Sequence, residues 1–507
     1  MLCAVGFSAR SLVQSIRRAN IDVVAIDHFC DQDLCALADD VFRIPSWCTS
    51  PCSAPTRTGN SPLLEVDRQM AAWVAKNENQ PLPSVAAGGV ENFPALVEVL
   101  QRHGPFLGPP PELMRDLRSV ETWKILAAES GLRFPTTVAS HEWDRIEGRL
   151  QAGRWLLKPE NGAGGLGIQL LTGPAPSVTE RRLPCDDRMG DQPAFLQEFI
   201  PGRPLGVVLI VHGPSQGGGK GTVPAATAVG AAPEGCGGLR SLATDSGDSS
   251  GSGPTDGEAV QAGSPYSTVL GVTESWAAAD WPGPRPFIYR GSWGPIPLPR
   301  NAMDRLLRLG DLLYQRFGVL GMMGADVVLD PAGDMWLLEL NPRWTAGMEV
   351  LSDTGCNPVP WHLAAWAPRL VGCDSLASRL RHVPPSPTST PGGLAAKAVV
   401  YAPAQVHVDQ NAAAGLAALP GDQVCDLPRP LSAGHPITFD AGHPLCTVKA
   451  TIRTTEDLVG SRRGAAADRS AGNPQDGMVG LDGFRARILQ RLRTTAAQVL
   501  QLLGTTV

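Results

Sequence analysis

Residues 324–344, GADVVLDPAGDMWLLELNPRW, place a carboxylate in each of two short apolar runs. Asp326 stands just before Val327-Val328-Leu329, and Glu339 is embedded in Trp336-Leu337-Leu338-Glu339-Leu340, followed by Asn341. A turn at Pro331-Ala332-Gly333 folds these runs into an antiparallel hairpin. Taking a carboxylate out of water costs several kcal/mol unless it is paired or bound to a cation. Two opposed anions on neighbouring strands repel, and a hard divalent ion between them reverses the sign of that interaction. By the period-two rule Asn341 shares a face with Glu339, so its carbonyl oxygen is expected as a third ligand. Mg²⁺ takes few carboxylates and completes its shell with phosphate oxygens, so Asp326, Glu339 and Asn341 point to a metal–nucleotide complex, with Mn²⁺ an acceptable substitute. The bland reading is a salt bridge to an arginine such as Arg343.

A second feature bears on phosphate. Residues 162–167, Gly-Ala-Gly-Gly-Leu-Gly, match G-x-G-x-x-G. A dinucleotide fingerprint requires this loop to open a helix. The loop leads instead into Ile168-Gln169-Leu170-Leu171 and then a turn, so a glycine flap between two strands is the better expectation. Glycines let backbone N–H groups approach phosphate oxygens closely, and Lys158, just before the loop, adds a point charge. A tight turn with no ligand is an equally ordinary use of such glycines.

Around these motifs the chain of 507 residues is too long for one core. The first hundred residues alternate strand and helix signals, which argues for βαβ units on a parallel sheet over 1–110. Polar residues at the carboxyl ends of such strands, here Asp27 and Glu91-Asn92, are where open α/β sheets bind ligands, although ordinary turn chemistry would also place them there. GPPPELMRDLRS marks a break, after which VETWKILAAES reads as a helix closed by Gly131. The stretch AFLQEFIPGRPLGVVLIVHG reads as a further strand pair. From about 213 to 264 the composition collapses to Gly, Ser, Pro, Ala and Asp, which reads as a disordered insertion. NAMDRLLRLGDLLYQRFG is an amphipathic helix, 383–393 reads as a linker, and 394–507 as a smaller β-rich region with a flexible stretch at 454–480 and a closing helix. The boundaries expected are therefore 1–110, 111–380 and 394–507.

A net charge of −6 gives no electrostatic reason to expect nucleic acid. No run of about 18 apolar residues suggests a membrane span, and Met1 leads straight into a strand-like segment, so a soluble cytoplasmic protein acting on small molecules is expected. Eleven cysteines, scattered, fit reduced thiols; Cys30, Cys35, Cys48 and Cys52 are spaced too loosely for a zinc ribbon and read as small buried residues.

Taken in order, Lys124 in ETWKILAAESGLRFP, Lys158 with its glycine flap, the strand FLQEFIPG and Asp326…Glu339-x-Asn341-Pro-Arg343 resemble the ATP-grasp superfamily over about residues 111–350. The resemblance implies an α/β and α+β multidomain protein: an N-terminal βαβ domain, an ATP-grasp domain and a smaller β-rich tail similar to that of biotin-carboxylase-like proteins. It implies that Lys124 and Lys158 contact ATP phosphates, that Lys158 can also reach the adenine, and that Gly162, Gly164, Gly165 and Gly167 cover the phosphates. The hinge Gln197-Glu198-Phe199-Ile200 would hold the adenine by backbone hydrogen bonds, Asp326, Glu339 and Asn341 would ligate Mg²⁺, and Arg343 would face the acyl phosphate or carboxylate. One departure is that Arg203-Pro204-Leu205 stands where the family often has an acid for the ribose.

The layout is also similar to ATP-dependent carboligases associated with tetrahydromethanopterin-linked one-carbon metabolism. The activity so implied is an ATP- and Mg-dependent ligase joining a carboxylate to an amine or thiol. A nucleotide-binding regulatory protein without turnover and a small-molecule kinase on the same fold are the alternatives. Glu349 could act as a base or simply belong to a loop, and the closing helix could pair two copies as a homodimer.

Overall fold

The computed structural model describes residues 1–44, 62–139, 155–171, 194–214, 262–370, 373, 376, 393–430, 435–453 and 476–505. All but the last residue of the expected linker at 383–393, nearly all of the 213–264 insertion, most of the 454–480 stretch and both Cys48 and Cys52 lie outside them.

Four short strands, β1 (Leu2–Gly6), β2 (Val23–Asp27), β3 (Asp40–Arg43) and β4 (Ser84–Ala86), form a parallel sheet in the order β3-β2-β1-β4. Both β1 and β2 are buried along their whole length, as expected of parallel strands covered on two faces. Helices α1 (Arg10–Arg18), α2 (Gln32–Leu37) and α3 (Pro62–Lys76) lie between successive strands, and α4 (Pro94–His103) follows β4. The chain then runs through α5 (Pro111–Asp116) and α6 (Val120–Ser130), the latter capped by the Ser119 hydroxyl, which accepts from the Thr122 N–H, and ended by Gly131 at φ +77°.

A four-stranded antiparallel sheet comes next in the chain, built from β5 (Thr137–Ala139), β6 (Trp155–Pro159), β7 (Gln169–Leu171) and β8 (Ala194–Glu198) in the order β5-β8-β6-β7. The glycine loop is the turn between β6 and β7. Strand β9 (Arg203–Val211) does not pair with β8, contrary to the expected strand pair. Over Phe199–Gly202 the chain leaves the small sheet and enters a nine-stranded one.

That larger sheet contains β9, β10 (Ala262–Gly263), β11 (Ser267–Ser275), β12 (Gly291–Gly294), β13 (Gly321–Leu329) and β14 (Met335–Asn341). It also takes in strands from beyond residue 393. Strand β15 (Gly393–Tyr401) pairs with β12 and with β19 (Pro444–Arg453), and β17 (Val424–Cys425) closes the edge, while β16 (Val406–Val408) and β18 (Ile437–Phe439) form a separate ribbon.

The helix Arg300–Phe317 lies on one face of this sheet and buries Met303, Leu306, Leu307 and Leu313 against β9, β11 and β13. Each fully buried leucine contributes about 2 kcal/mol, and Gly318 in the left-handed conformation ends the helix. The opposite face meets the helices Ala346–Asp353 and Val359–Trp366, whose Met348, Leu351 and Leu363 share a core with Leu12 and Ile16 of α1. The closing helix, Asp476–Leu502, begins inside the stretch expected to be flexible and buries Ile488, Leu492 and Val499 over β15 and β19. Among the described residues no helix is long and apolar enough to cross a membrane.

Candidate active site

Asp326 and Glu339 are paired directly across β13 and β14, with a bulge between Asp326 and Val327. The bulge shifts the register by one residue, so the apolar alternation of the rest of the hairpin is preserved while both carboxylates share one face. Asn341, on that same face, donates from Nδ2 to Asp326 Oδ2 and to Glu339 Oε1, each at 3.2 Å. Its Oδ1 accepts from Arg343 Nη2 at 3.1 Å. The amide nitrogen, not the expected carbonyl oxygen, therefore faces the carboxylates here.

Two further cations face the pair. Lys158, on β6, is buried, donates to Gln197 Oε1 at 3.2 Å and lies 5.7 Å over the Phe195 ring. Burial lowers the Lys158 ammonium from its ordinary value, partly offset by Glu339 and Asp326. Burial pushes the Asp326 carboxyl well above the usual range, and the neighbouring Glu339 charge adds to this. Burial acts the same way on Glu339, yet the charges of Lys158 and Arg118 outweigh it and bring it down to about 2.

Arg118 precedes α6, where the motif order points to Lys124 instead. The Arg118 side chain donates from Nη2 to the Gly162 carbonyl at 3.2 Å and lies 3.7 Å from Glu91 Oε1. Lys124 sits on the exposed side of α6, opposite buried Trp123, Leu126 and Ala127, and no described contact joins it to the cluster. Periodicity carries a signal of this, since a residue next to Trp123 and two before Leu126 points away from the core. Glu91, at the end of the N-terminal sheet, binds Arg343 Nε at 2.6 Å, so one of the two polar sites expected at the strand ends does reach the cluster. The other, Asp27, spends its oxygens on the backbone N–H groups of Ala9 and Cys30, which is turn chemistry.

No protein-family model matches the sequence, and no curated protein does. Solved structures do match the fold. The biotin carboxylase domain of Hydrogenobacter thermophilus 2-oxoglutarate carboxylase, crystallised as a dimer with MgADP, ADP and bicarbonate, superposes with a TM-score of 0.57 at 14% identity over 91% of this chain and 89% of that one. The biotin carboxylase domain of a single-chain bacterial carboxylase gives 0.52 at 14% identity over 98% and 100%. An ADP complex of N5-carboxyaminoimidazole ribonucleotide synthetase gives 0.51 at 11% over 91% and 95%. This chain has the ATP-grasp fold.

In the ATP-grasp fold of this chain the cluster lies between the small sheet and the large one. The glycine flap is docked on the segment before β12: Tyr289 N donates to the Gly164 carbonyl at 3.0 Å. Gly165, at φ +80°, packs so closely that a Cβ there would overlap the Phe287 carbonyl oxygen. At the strand exit, Gln197 is buried and gives Nε2 to Thr137 Oγ1, and the Glu198 N–H is taken by the Thr136 carbonyl. Pairing stops at Glu198, which leaves Phe199 and Ile200 as the part of the expected hinge beyond the sheet; Phe199 stands edge-on to Phe287 at 6.0 Å. Arg203, in the place of the expected ribose acid, forms an ion pair with Glu274 at 2.6 Å.

Glu349 serves as a structural charge joining three cations. It is buried, with Arg10 Nη1 at 2.5 Å, Lys397 Nζ at 2.7 Å and Lys449 Nζ at 3.3 Å. Although burial opposes it, these three cations hold its carboxyl well below the usual range.

Proposed function

We propose that the protein is an ATP-dependent ligase that activates a carboxylate as an acyl phosphate for capture by an amine or thiol. The observation that carries this reading is the facing Asp326–Glu339 pair, ringed by Lys158, Arg118 and Arg343 on a clamp closed by a glycine flap. The solved structures that share the fold include complexes with ADP, with MgADP and with bicarbonate, which supports a nucleotide and a carboxylate-like substrate for this chain.

The donor set fits Mg²⁺. Among the described residues no group of three or more His, Cys, Asp or Glu side chains is arranged to hold a metal. Two carboxylates, with Asn341 Oδ1 after a half-turn of its amide, form an all-oxygen site that needs phosphate oxygens to be complete, which is how Mg²⁺ is held beside nucleotides. When bound, the ion neutralises charge on the phosphates.

The rest of the chemistry belongs to the side chains. A substrate carboxylate oxygen attacks the γ-phosphorus, the bond to the β–γ bridging oxygen breaks, and ADP leaves. The amine or thiol then attacks the acyl carbon, loses its proton and expels inorganic phosphate. Both partners of the first step are anions, so the task is alignment and charge compensation. Lys158 and Arg118 meet the phosphates under the flap. Arg343 already spends three N–H groups on Glu91, Asn341 and the Trp344 carbonyl, which fixes its plane, and presents the remaining fork to the carboxylate. Trapping with hydroxylamine tests the reading: an acyl phosphate yields a hydroxamate and a phosphate ester does not.

A further inference from the structure

The N-terminal domain reaches the carboxylate cluster through one short segment. After β4 the chain passes Gly88 and Gly89, the latter at φ +99°, and forms a 3-10 turn over Val90–Asn92. Glycine takes up this left-handed conformation without the penalty of a Cβ, and the reversal it makes carries Glu91 and Asn92 toward the glycine flap. The Glu91 side chain is only 1% exposed. Its Oε2 accepts from the Gly89 N–H at 2.8 Å, so its own turn holds it in place. Asn92 donates from Nδ2 to the carbonyl of Asn161, at the foot of the flap, at 3.2 Å.

The other Glu91 oxygen is shared. Oε1 lies 2.6 Å from Arg343 Nε and 3.7 Å from Arg118 Nη1. From these two arginines the contacts run on in both directions: Arg118 Nη2 donates to the Gly162 carbonyl at 3.2 Å, and Arg343 Nη2 to Asn341 Oδ1 at 3.1 Å, with Asn341 joined in turn to Asp326 and Glu339. A single oxygen thus stands between the arginine under the flap and the arginine assigned to the substrate carboxylate. The Arg118 and Arg343 side chains are 8% and 13% exposed, so water screens little of the repulsion between two guanidinium groups this close, and the anion between them offsets it. Glu91 is also the group that relates the two to each other, since Gly162 lies on the flap and Asn341 on the β13–β14 hairpin.

We infer that Glu91 is a positioning residue of the ligase site: it sets the spacing between Arg118 on the phosphate side and Arg343 on the carboxylate side, and with it the alignment of the substrate carboxylate on the γ-phosphorus. This rests on the ligase reading and deepens it. Partners held at the wrong spacing react slowly even when each still binds, because alignment carries a large part of the acceleration. Neutralising Glu91 takes a negative charge away from two anion-binding arginines, so neither anion binds more weakly on its own. What is lost is their joint fit.

The test uses the full chain saturated with Mg·ADP and two probes titrated calorimetrically, inorganic phosphate and phosphonoacetate. In phosphonoacetate one methylene joins a carboxylate to a phosphonate, which makes it a stable counterpart of an acyl phosphate. A probe that engages two sites at once gains by effective concentration, and only where their spacing fits it. The wild type is expected to bind phosphonoacetate about a hundredfold tighter than inorganic phosphate. Glu91→Gln should cut that advantage to about tenfold or less, while its affinities for Mg·ADP and phosphate stay level or rise, which also shows that the variant folds. Glu91→Asp, which keeps the charge and shortens the reach by one methylene, should lose the advantage in part, and it decides alone if the first variant does not fold. An undiminished advantage in the deciding variant overturns the inference, as does an equal loss of affinity for every ligand, Mg·ADP included, which a merely structural role would give. No Mg·ADP binding, or no phosphonoacetate advantage, in the wild-type chain rejects the ligase reading and the inference with it.

Discussion

Asp326 and Glu339 face each other across the β13–β14 hairpin, and one amide, Asn341 Nδ2, donates to both at 3.2 Å. With Asp326 raised well above its ordinary value of 3.8, the contribution of this one carboxyl to stability is complete below that value and is lost as pH rises through the folded one, while that of Glu339, held at about 2, is present above 4.5 and is lost as pH falls toward 2. A divalent cation competes with protons for these carboxylates, so its stabilising effect grows with pH. Melting curves with and without Mg·ADP at about pH 6 and about pH 8 should show a larger shift at the higher pH, and saturating ligand at about a hundred times its Kd should add about 2.7 kcal/mol. Asp326→Asn should remove both the shift and its pH dependence.

Glu349 joins three parts of the chain, through Arg10 of α1, Lys397 of β15 and Lys449 of β19. Glu349→Gln leaves three buried cations with too few anions and should cost about 3–5 kcal/mol in urea denaturation. Its folded value lies below the ordinary 4.5, so its contribution is present above pH 4.5 and is lost as pH falls through the folded value. The variant should flatten the acid limb of the wild-type stability profile.

Arg118→Ala and Lys124→Ala should separate cleanly. Arg118 reaches the flap carbonyl of Gly162, and losing a charged hydrogen-bond donor of this kind should weaken Mg·ADP binding about tenfold, worth about 1.5–3 kcal/mol at most. Lys124→Ala should leave both affinity and melting temperature unchanged. Titration calorimetry of the two variants decides between them.

Gly165→Ala puts a Cβ into the Phe287 carbonyl oxygen, which is backbone and cannot step aside. It also strains a residue at φ +80°. The flap should fail to dock on the segment carrying Tyr289. We expect nucleotide dissociation to accelerate, read by stopped-flow release of a fluorescent ADP analogue, with little change in melting temperature because Gly165 lies in a half-exposed surface turn.

Much of this site is legible in the sequence because its signals are local. Alternation and a Pro-Ala-Gly turn bring Asp326 to within one residue of Glu339, the bulge beside Val327 supplies the last step, and periodicity with Gly318 bounds the helix Arg300–Phe317. The ATP-grasp fold itself is signalled by the order of the motifs. The features that escape depend on long-range choices. Strands β8 and β9 read as a pair because a short connection usually makes a hairpin; here Phe199–Gly202 carries the chain between sheets. Arg118 is hidden because nothing near it signals that its side chain crosses to Glu91 and Gly162. Glu349 looks like a free carboxylate in sequence, since two of its three partners come from β15 and β19, about a hundred residues or less downstream. The side-chain direction of Asn341 is settled by the charges around it, which no alternation pattern records.

The metal–nucleotide assignment is tested most directly by ADP release from the wild-type chain and from Glu339→Gln, assayed with Mg²⁺, ATP, hydroxylamine and a panel of carboxylates. The wild type should release ADP and form a hydroxamate only when Mg²⁺ and a carboxylate are both present, and the variant, still folded at the assay temperature, should do neither. Turnover by Glu339→Gln at the wild-type rate would contradict the assignment.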